Sequence, residues 1–567
     1  LYSGGGFIQN AIGSDLVVTR WVQLKGRDGS PQAMSNTDPR FNDTCKTPGT
    51  GGGAIGGTLT FLCDFLGGSE GDPGTQIASN TLNWSAYVRD SWQILPNLTL
   101  NAGLRYEEQR LRYATFLQHT TDPLTDVPLG KNAMTLQNLW APRIGAIYDW
   151  TQEGRSKVYA HWGRFYESVP LDINARSFGG EVQQVQHFPI SGCGAFDSRI
   201  GGFNGADCLT NTAVMPNQEQ LIGASGVLIA PGIKPQYLDE IVIGAEYELI
   251  DDLKIGLSYQ NRRLGRVIED VSPDGANTFI IANPGEWSSD EEHKLEAQIA
   301  RTTDMATKDR LQNELTLFRG IRIFDPPRRD YNAVQLTVTR RFSRALYLQG
   351  SYTYARVTGN YPGLISYDNG QIDPNISSQY DLIELLANRQ GPLPQDRPHY
   401  VKLDGYYTFD FHRQGALTLG ARIRAFSGVP ENTLGAHYLY GANESFLLPR
   451  GALGRSDFEH GIDLHVEYDR DIGRGMGIGV FVDVFNLYDY QGSATIDSTY
   501  APQTTATGQF QNANPISGGS YEDLIWLKQI DRMGNETSKP ISRNPNFGNT
   551  SSRYAPAFGR LGARLTF

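Results

Sequence analysis

The sequence predicts an all-β protein, an antiparallel transmembrane β-barrel with about 14 strands in this chain. Three observations lead to this fold class. Long segments alternate strictly between apolar and polar residues, they occur in pairs joined by very short polar turns, and consecutive pairs are separated by long irregular stretches. Short turns at one end and long loops at the other are the layout of a bacterial outer-membrane barrel.

The paired segments carry the strongest signal. In LTLNAGLRYEEQR, residues Leu98, Leu100 and Leu104 share one face, while Thr99 and Asn101 share the other. Such alternation predicts a strand with one apolar and one wet face, and a connection of a few residues predicts a hairpin. The predicted hairpins are TLNWSAYVRDSWQ with LTLNAGLRYEEQR, APRIGAIYDW with KVYAHWGRFYE, DEIVIGAEYELI with LKIGLSYQNRRL, YNAVQLTVTRRFS with LYLQGSYTYARVTG, PHYVKLDGYYTFDF with ALTLGARIRAFSG, and HGIDLHVEYDRDI with MGIGVFVDVFNLYD.

Two further strands complete the count, LVVTRWVQLKG near the start and the terminal AFGRLGARLTF. The predicted short turns then lie at 94–97, 151–156, 251–252, 344–345, 412–415 and 473–475. The predicted long loops lie at about 27–80, 111–140, 168–238, 265–330, 359–397, 429–458 and 490–556. Within one of them, the stretch 287–318 combines good helix formers with Ser and Asp start signals, which predicts one or two helices. We therefore interpret residues 1–567 as a barrel portion, with the loops extracellular and the short turns periplasmic.

Composition excludes several other classes. The mean hydropathy is −0.39, and no run approaches the ~18 apolar residues of a spanning helix. The net charge of −11 argues against a nucleic-acid partner, which is bound through excess Lys and Arg. A soluble β-sandwich is the competing fold, but it requires neither strands of this length nor two ends that differ so consistently.

One face of several predicted strands is too charged to meet hydrocarbon. Lys402 and Asp404 alternate with apolar residues in PHYVKLDGYYTFDF, and Asp463, Glu467 and Asp469 share a face in HGIDLHVEYDRDI. A charge facing lipid costs up to ~2–4 kcal/mol. We therefore expect these side chains to face a lumen that is filled with water or with a polar plug.

The last strand explains why the chain stops on an aromatic residue although termini are usually frayed and polar. Alternation places four residues toward lipid, namely Phe567, Leu565, Ala563 and Leu561. The same alternation places Arg560 and Arg564 toward the lumen. We therefore expect outer-membrane lipid to be the partner of the apolar face and this strand to take part in closing the barrel.

The cysteines form two local pairs in the sequence, Cys45 with Cys63 and Cys193 with Cys208. Because none shows CxxC spacing, two disulfides in an oxidising compartment are a better interpretation than a zinc site. Four unpaired loop thiols are the alternative.

Catalytic and cofactor signatures are weak. GRGMGIG at 473–479 lacks the Lys-Ser/Thr of a phosphate loop. The acidic stretch NTDPRFND, 36–43, is a calcium candidate but lacks EF-hand spacing. The sequence therefore predicts a protein that is not an enzyme and carries no cofactor; a hydrolase with carboxylates at the barrel rim is the weakest hypothesis.

Several segments resemble the TonB-dependent receptors of the Oar-like group. They are PQYLDEIVIGAEYEL at 235–249, the run from RVTGNYPGL to GYYTF at 356–409 with its ordered GNYPGL, DPN and LPxDRPHxxK motifs, LPRGALGR at 448–455, DVFNLYDYQ at 483–491, and NPNFGNTSSRYAPAFGRLGARLTF at 544–567. The resemblance implies a 22-stranded barrel with an N-terminal plug, of which this chain holds the last part. Eight strands would then be missing, an even number, so the first strand seen should run outward, and the long 27–80 loop that follows it agrees with this direction. A closed 14-stranded barrel, in which the last strand pairs with LVVTRWVQLKG, is the alternative.

The same resemblance implies a function. The barrel would serve active uptake, or secretion, of a ligand, powered by a periplasmic TonB-type energy coupler that acts through the plug upstream of Leu1. It also implies that the barrel-assembly machinery reads the terminal strand. The alternative is a surface structural or adhesion barrel without transport, since seven such loops also suit recognition.

Overall fold

The computed structural model describes residues 80–115, 118, 128–178, 188–189, 228–275, 279–343, 345–371, 374–505, 511–531 and 534–567. It gives the backbone alone for strands at 7–12, 15–26, 54–55, 58–59, 61–66, 182–187 and 218–223. Cys45, Cys193, Cys208 and the acidic stretch 36–43 lie outside the described residues, and Cys63 lies on a strand described by its backbone. The disulfides and the calcium candidate therefore stay predictions.

The predicted fold class is confirmed. A 14-stranded antiparallel sheet contains thirteen long strands in sequential order, together with the two-residue strand Gly391–Pro392. The long strands are β1 (Asn80–Leu95), β2 (Leu98–Arg112), β3 (Asn132–Tyr148), β4 (Ser156–Tyr166), β5 (Tyr237–Ile250), β6 (Leu253–Arg266), β7 (Arg329–Ser343), β8 (Leu346–Gly359), β9 (His399–Asp410), β10 (Ala416–Phe426), β11 (Glu459–Gly473), β12 (Met476–Phe485) and β13 (Phe558–Thr566).

The connections alternate as predicted between very short turns and long excursions. The predicted hairpin partners pair with each other, as in β5 with β6 around residues 251–252 and β11 with β12 around 474–475. The sheet ends at β1 and β13, and within the described residues neither of these edge strands has a second partner.

One predicted barrel strand lies elsewhere, and this is a correction. The strand Asp15–Gly26, which contains LVVTRWVQLKG, belongs to a separate five-stranded sheet. Its partners are Phe7–Ile12, Phe61–Leu66 and Val182–Pro189, and the fifth strand, Gln218–Gly223, pairs with the last of these. The pairing of this strand with the terminal strand is therefore wrong.

The orientation expected for the first barrel strand is also wrong. The first strand of the main sheet is β1, and it is followed by the tight turn at 96–97 rather than by a long loop. It therefore runs from the long-loop end toward the short-turn end, opposite to the outward direction inferred from LVVTRWVQLKG.

The long connections contain secondary structure of their own. The predicted helical stretch forms two helices, and a third helix follows β4; the helices are α1 (Leu171–Phe178), α2 (Ser289–Arg301) and α3 (Met305–Gly320). Short strands form small sheets from Leu228–Ile229, Glu269–Val271 and Ile280–Ala282; Leu434–His437, Gly441–Phe446 and Thr499–Ala501; Ser493–Ile496 and Thr550–Arg553; Lys528–Ile530 and Glu536–Pro540; and Ala54–Ile55 and Thr58–Leu59. Short 3₁₀ helices lie at Ile321–Ile323, Ser378–Tyr380, Ile383–Leu386, His412–Gln414 and Tyr521–Trp526. No helix in the described part of the chain has the length and apolarity needed to span a membrane.

Apolar residues are buried in the connections and exposed on the sheet. On one face of the sheet, Val88 is 69% exposed and Leu257 is 55% exposed. By contrast, clusters around Phe318, Ile173 and Leu447 are buried where the long connections pack together. An apolar face that no protein covers is what a strand facing lipid presents.

Candidate functional site

The polar face of β9–β13 brings the predicted inward-facing residues together. The register places Lys402 opposite Arg424, Asp404 and Asp463 opposite Arg422, and Asp483 opposite Arg560. Paired residues of an antiparallel sheet point to the same side, and so do residues two apart along a strand. The complete predicted set therefore shares one face: Lys402, Asp404, Asp463, Glu467, Asp469, Arg560 and Arg564. That this face lines a lumen stays a prediction.

Ion pairs run across this face. Arg560 lies 2.6 Å from Asp483, whose carboxylate is also 2.6 Å from His465 Nδ1. Arg564 lies 2.9 Å from both Glu467 and Asp469. Because their partners are on β11 and β12, these arginines tie the terminal strand to the two strands before it.

A cavity of about 490 Å³ lies against the same face. Four carboxylates line it, those of Asp404, Asp463, Glu467 and Asp483, and two arginines, Arg422 and Arg560, complete the charged lining. This part of the wall is therefore rich in acidic groups that are largely paired with cations.

The opposite face of the terminal strand is apolar and exposed. Leu561 is 76% exposed and pairs with Val482, and Leu565 is 59% exposed and pairs with Ile478. Ala563 pairs with Val480 on the same face, and Phe567 follows the strand as its most exposed apolar residue. These residues continue the apolar band of β12 to the edge of the sheet.

The GNYPGL and DPN motifs meet inside the long connections. Tyr361 of GNYPGL donates a hydrogen bond of 2.6 Å to Glu269, and the Ser377 N–H donates one of 3.0 Å to the same carboxyl group. Asn375 of DPN donates a hydrogen bond of 2.6 Å to the Ile268 carbonyl. Burial raises the pKa of Glu269 to about 8, so this carboxyl is largely neutral at pH 7.

The LPQDRPH and LPRGALGR motifs meet at a second buried point. Asp396 has no exposed surface; it accepts a hydrogen bond of 2.6 Å from the Val357 N–H and forms ion pairs with Arg356 and Arg455. A removed partner at such a point leaves an uncompensated buried charge, which is costly.

A third buried contact comes from the same LPRGALGR segment. Arg450 forms an ion pair with Asp368, and both side chains are almost fully buried. The Arg450 Nε–H also donates a hydrogen bond of 2.8 Å to the Arg389 carbonyl. The motif residues thus connect loops that are distant in sequence, and their chemistry is that of structural support.

Sequence reasoning missed these buried polar residues as individuals. The motifs that contain them were recognised, but periodicity carries no signal for which polar loop residue is buried or what it contacts.

Among the described residues, no group of three or more His, Cys, Asp or Glu side chains could hold a metal ion.

One loop segment presents apolar side chains to solvent. In the 3₁₀ helix Tyr521–Trp526, Leu524 is buried, whereas Ile525 is 70% and Trp526 is 76% exposed. The Ser520 and Asp523 side chains form a capping box at its start. The exposed pair therefore lies in a turn whose start is fixed by side-chain hydrogen bonds.

Comparison with known proteins gives concordant matches. Residues 18–428 match the family model described as outer membrane beta barrel domain. Over 515 residues the chain is 34% identical to the TonB-dependent transporter Oar of Myxococcus xanthus, covering 87% of this chain and 43% of that protein. The chain thus spans less than half the length of this relative.

Solved structures give weaker similarities. The ferripyoverdine receptor of the Pseudomonas aeruginosa outer membrane, bound to ferripyoverdine, matches with 12% identity and a TM-score of 0.39, over 86% of this chain and 43% of that one. The ferric-catecholate import receptor Fiu of E. coli K12 matches with 13% identity and a TM-score of 0.37, over 89% and 51%. The family assignment depends on the sequence matches rather than on these scores.

Proposed function

The chain belongs to the outer membrane beta barrel family and lies in the bacterial outer membrane, and from this premise we propose that it forms the barrel wall of a TonB-dependent transporter. The 34% identity to a TonB-dependent transporter over 87% of this chain carries the proposal. The transporter would move a ligand across the outer membrane, by uptake or by secretion. An upstream plug and a periplasmic TonB-type coupler would supply the energy-dependent opening.

The two faces of the sheet support this role. Arg560, Arg564 and their acidic partners make one face polar, and a charged interior requires water or a polar plug. The other face exposes Val88 and Leu257, as a lipid-facing wall does. We further propose that the long connections lie outside the cell, that the short turns are periplasmic, and that the barrel-assembly machinery reads the terminal strand.

The interior also supports transport over catalysis. The relative at 34% identity is described as a transporter. In the described residues, the carboxylates of the polar face are mostly engaged with cations, as Glu467 and Asp469 are with Arg564. We therefore propose that these side chains make the wall of the lumen polar and do not act as general acids or bases.

A solute profile of the culture medium tests transport. The source bacterium with the full-length protein is compared with a deletion strain and with a strain that lacks the TonB-type coupler. We expect at least one solute whose medium level changes in the same direction in both deficient strains. Unchanged profiles in a deletion strain that grows in the same media would contradict transport.

An adhesion role is the second candidate, and the exposed Ile525 and Trp526 favour it. Replacing both with Ser in the full-length protein should reduce surface attachment under this hypothesis, while the solute profile stays normal. Ser520→Ala, which weakens the turn without removing the exposed side chains, is the matched control. Attachment that matches the wild type in the double variant would remove this candidate.

A further inference from the structure

We propose that the polar face of β1–β4 contains an anion-binding site, in which Arg89 and Arg143 bind a carboxylate or phosphate group of a ligand in the lumen. The inference rests on the proposed transport function. It specifies the chemical class of one group on the transported ligand. It concerns the edge of the sheet opposite to the acidic wall of β9–β13.

A cavity of about 980 Å³ lies against these strands. Four basic side chains line it, those of Arg89, Arg105, Arg143 and Lys157. In the described part of the lining, Asp90 is the one carboxylate, and its register partner Ala102 places it on the opposite face from Arg89. The cavity is therefore cationic although the chain carries a net charge of −11.

Two of the four cations already have partners. Arg105 lies 2.6 Å from Glu107, and Lys157 lies 3.4 Å from Glu246, which also pairs with Lys254 at 2.8 Å. Among the described residues, no carboxylate lies within 4.0 Å of Arg89 or Arg143. The Arg143 guanidinium instead lies 4.5 Å from the centre of the Phe165 ring.

The register brings these two unneutralised arginines together. Gly103 pairs with Arg89 on one side and with Arg143 on the other, so the two residues are two strand spacings apart, roughly 9.5 Å. Side chains as long as arginine can both reach a group bound over Gly103. A dianion or a carboxylate pair is the chemistry that two guanidinium groups recognise, through bidentate hydrogen bonds.

Glycines keep the floor of this site open. A Cβ at Gly103 would lie 3.4 Å from the Arg89 Cβ, and a Cβ at Gly163 would lie 3.3 Å from the Arg143 Cγ. Gly145, on the next register row, faces His161 at 3.1 Å in the same way. Larger residues in place of these glycines would fill the space between the two arginines. With glycine, the site has both positive charge and room for a ligand.

Electrostatics favours an anion at this point. Two like charges without counter-charges repel each other, and low-dielectric walls around a polar interior focus their field. A bound anion removes the repulsion. The acidic cavity on β9–β13 provides the contrast, because its arginines face carboxylates.

Binding of defined anions to the purified full-length protein in detergent tests the site. The probes are citrate and inorganic pyrophosphate, measured by calorimetry at low salt. We expect saturable binding that weakens at least tenfold in Arg89→Gln and in Arg143→Gln, and that also weakens on raising the salt concentration. Gly103→Leu, which fills the floor and keeps both charges, should weaken binding as well.

Arg422→Gln is the matched control. Arg422 lies on the same face but pairs with Asp404 at 3.6 Å, and Asp404 keeps Arg424 at 2.8 Å when Arg422 is changed. We expect probe binding within twofold of wild type in this variant, with all variants reaching the outer membrane at normal levels.

Two results would overturn the site: no saturable binding of either probe by the wild type, or equal binding by the Arg89→Gln/Arg143→Gln double variant. If the wild type binds neither probe and the double variant also has a lowered melting temperature, carboxylates of the protein itself occupy the site. This assay needs no energy coupling. Its result is therefore independent of the solute profiles that test transport.

Discussion

The Tyr361 hydroxyl donates a hydrogen bond of 2.6 Å to the carboxyl group of Glu269, which lies 92 residues earlier in the chain. Both residues are fully or almost fully buried. Tyr361 belongs to the GNYPGL motif, and Glu269 follows strand β6. This contact thus joins two of the long connections. Its strength depends on whether Glu269 is protonated.

The assembly of these connections should weaken as pH rises. Burial raises the pKa of Glu269 to about 8 from an ordinary 4.5. The folded state therefore binds a proton that the unfolded segment releases, so the stabilisation is complete below about pH 4.5 and is lost as pH rises through 8. Burial also raises the pKa of Glu431 to about 7, which acts in the same direction.

Hydrogen exchange of segments 269–271 and 375–380, corrected for intrinsic rates, measures this effect. We expect protection to fall between pH 5 and 8 in the wild type and to fall less in Glu269→Gln. Equal pH dependence in the two proteins would show that Glu269 is not the responsible group.

Loss of the Asp396 charge should loosen the loops that meet at this residue. Asp396→Asn keeps the size of the side chain but leaves Arg356 and Arg455 without their buried counter-charge. We expect the free energy of local opening to fall by roughly 1.5–3 kcal/mol, the range for a hydrogen bond to a charged group, because the side chains of Arg356 and Arg455 are 46% and 28% exposed and regain water. Exchange of the Val357 and Leu393 amides measures it, since both are hydrogen-bonded at this point.

Asp410→Asn is the control for that change. Asp410 lies at the end of β9, is 69% exposed at its side chain, and pairs with His412 at 3.6 Å. An exposed pair of this kind contributes ~0–1 kcal/mol. If Asp396→Asn had no larger effect than Asp410→Asn, the structural support that we assign to Asp396 would be wrong.

The terminal residue should govern insertion rather than ligand chemistry. Phe567 is 96% exposed and follows the apolar face of β13. We expect Phe567→Asp to lower the amount of full-length protein in the outer membrane several-fold, since a charge at this position interrupts the apolar band. Quantitative blotting of membrane fractions measures it, with Thr566→Asp on the polar face as the control; normal levels of the Phe567 variant would refute the role.

The strands of the main sheet were predictable because alternation and short turns are both local properties. The residue pattern alone specifies the hairpins from TLNWSAYVRDSWQ to MGIGVFVDVFNLYD. LVVTRWVQLKG shows the limit of this signal. Its alternation specified a strand, but one of its partners, Val182–Pro189, lies far away in sequence, and periodicity does not encode the partner.

The interior of the long connections was not predictable for a related reason. Asp396 and Arg450 look like ordinary polar loop residues, and what distinguishes them is burial against residues such as Asp368 and Arg356. Family resemblance marked the segments without stating their contacts. The cationic cavity of β1–β4 likewise depends on register, because Gly103 separates Arg89 and Arg143 only once three strands are aligned.

The central claim is that this sheet is a membrane wall with one face toward lipid and the other toward a lumen. Leu257 and Ser258 are adjacent on β6 and point to opposite faces: Leu257 pairs with Leu336, and Ser258 pairs with Gln335. A photo-crosslinking amino acid placed at either position in the full-length protein, in native outer membranes, tests the claim most directly. We predict lipid adducts from position 257 and none from position 258; adducts from 258, or from neither position, would contradict it.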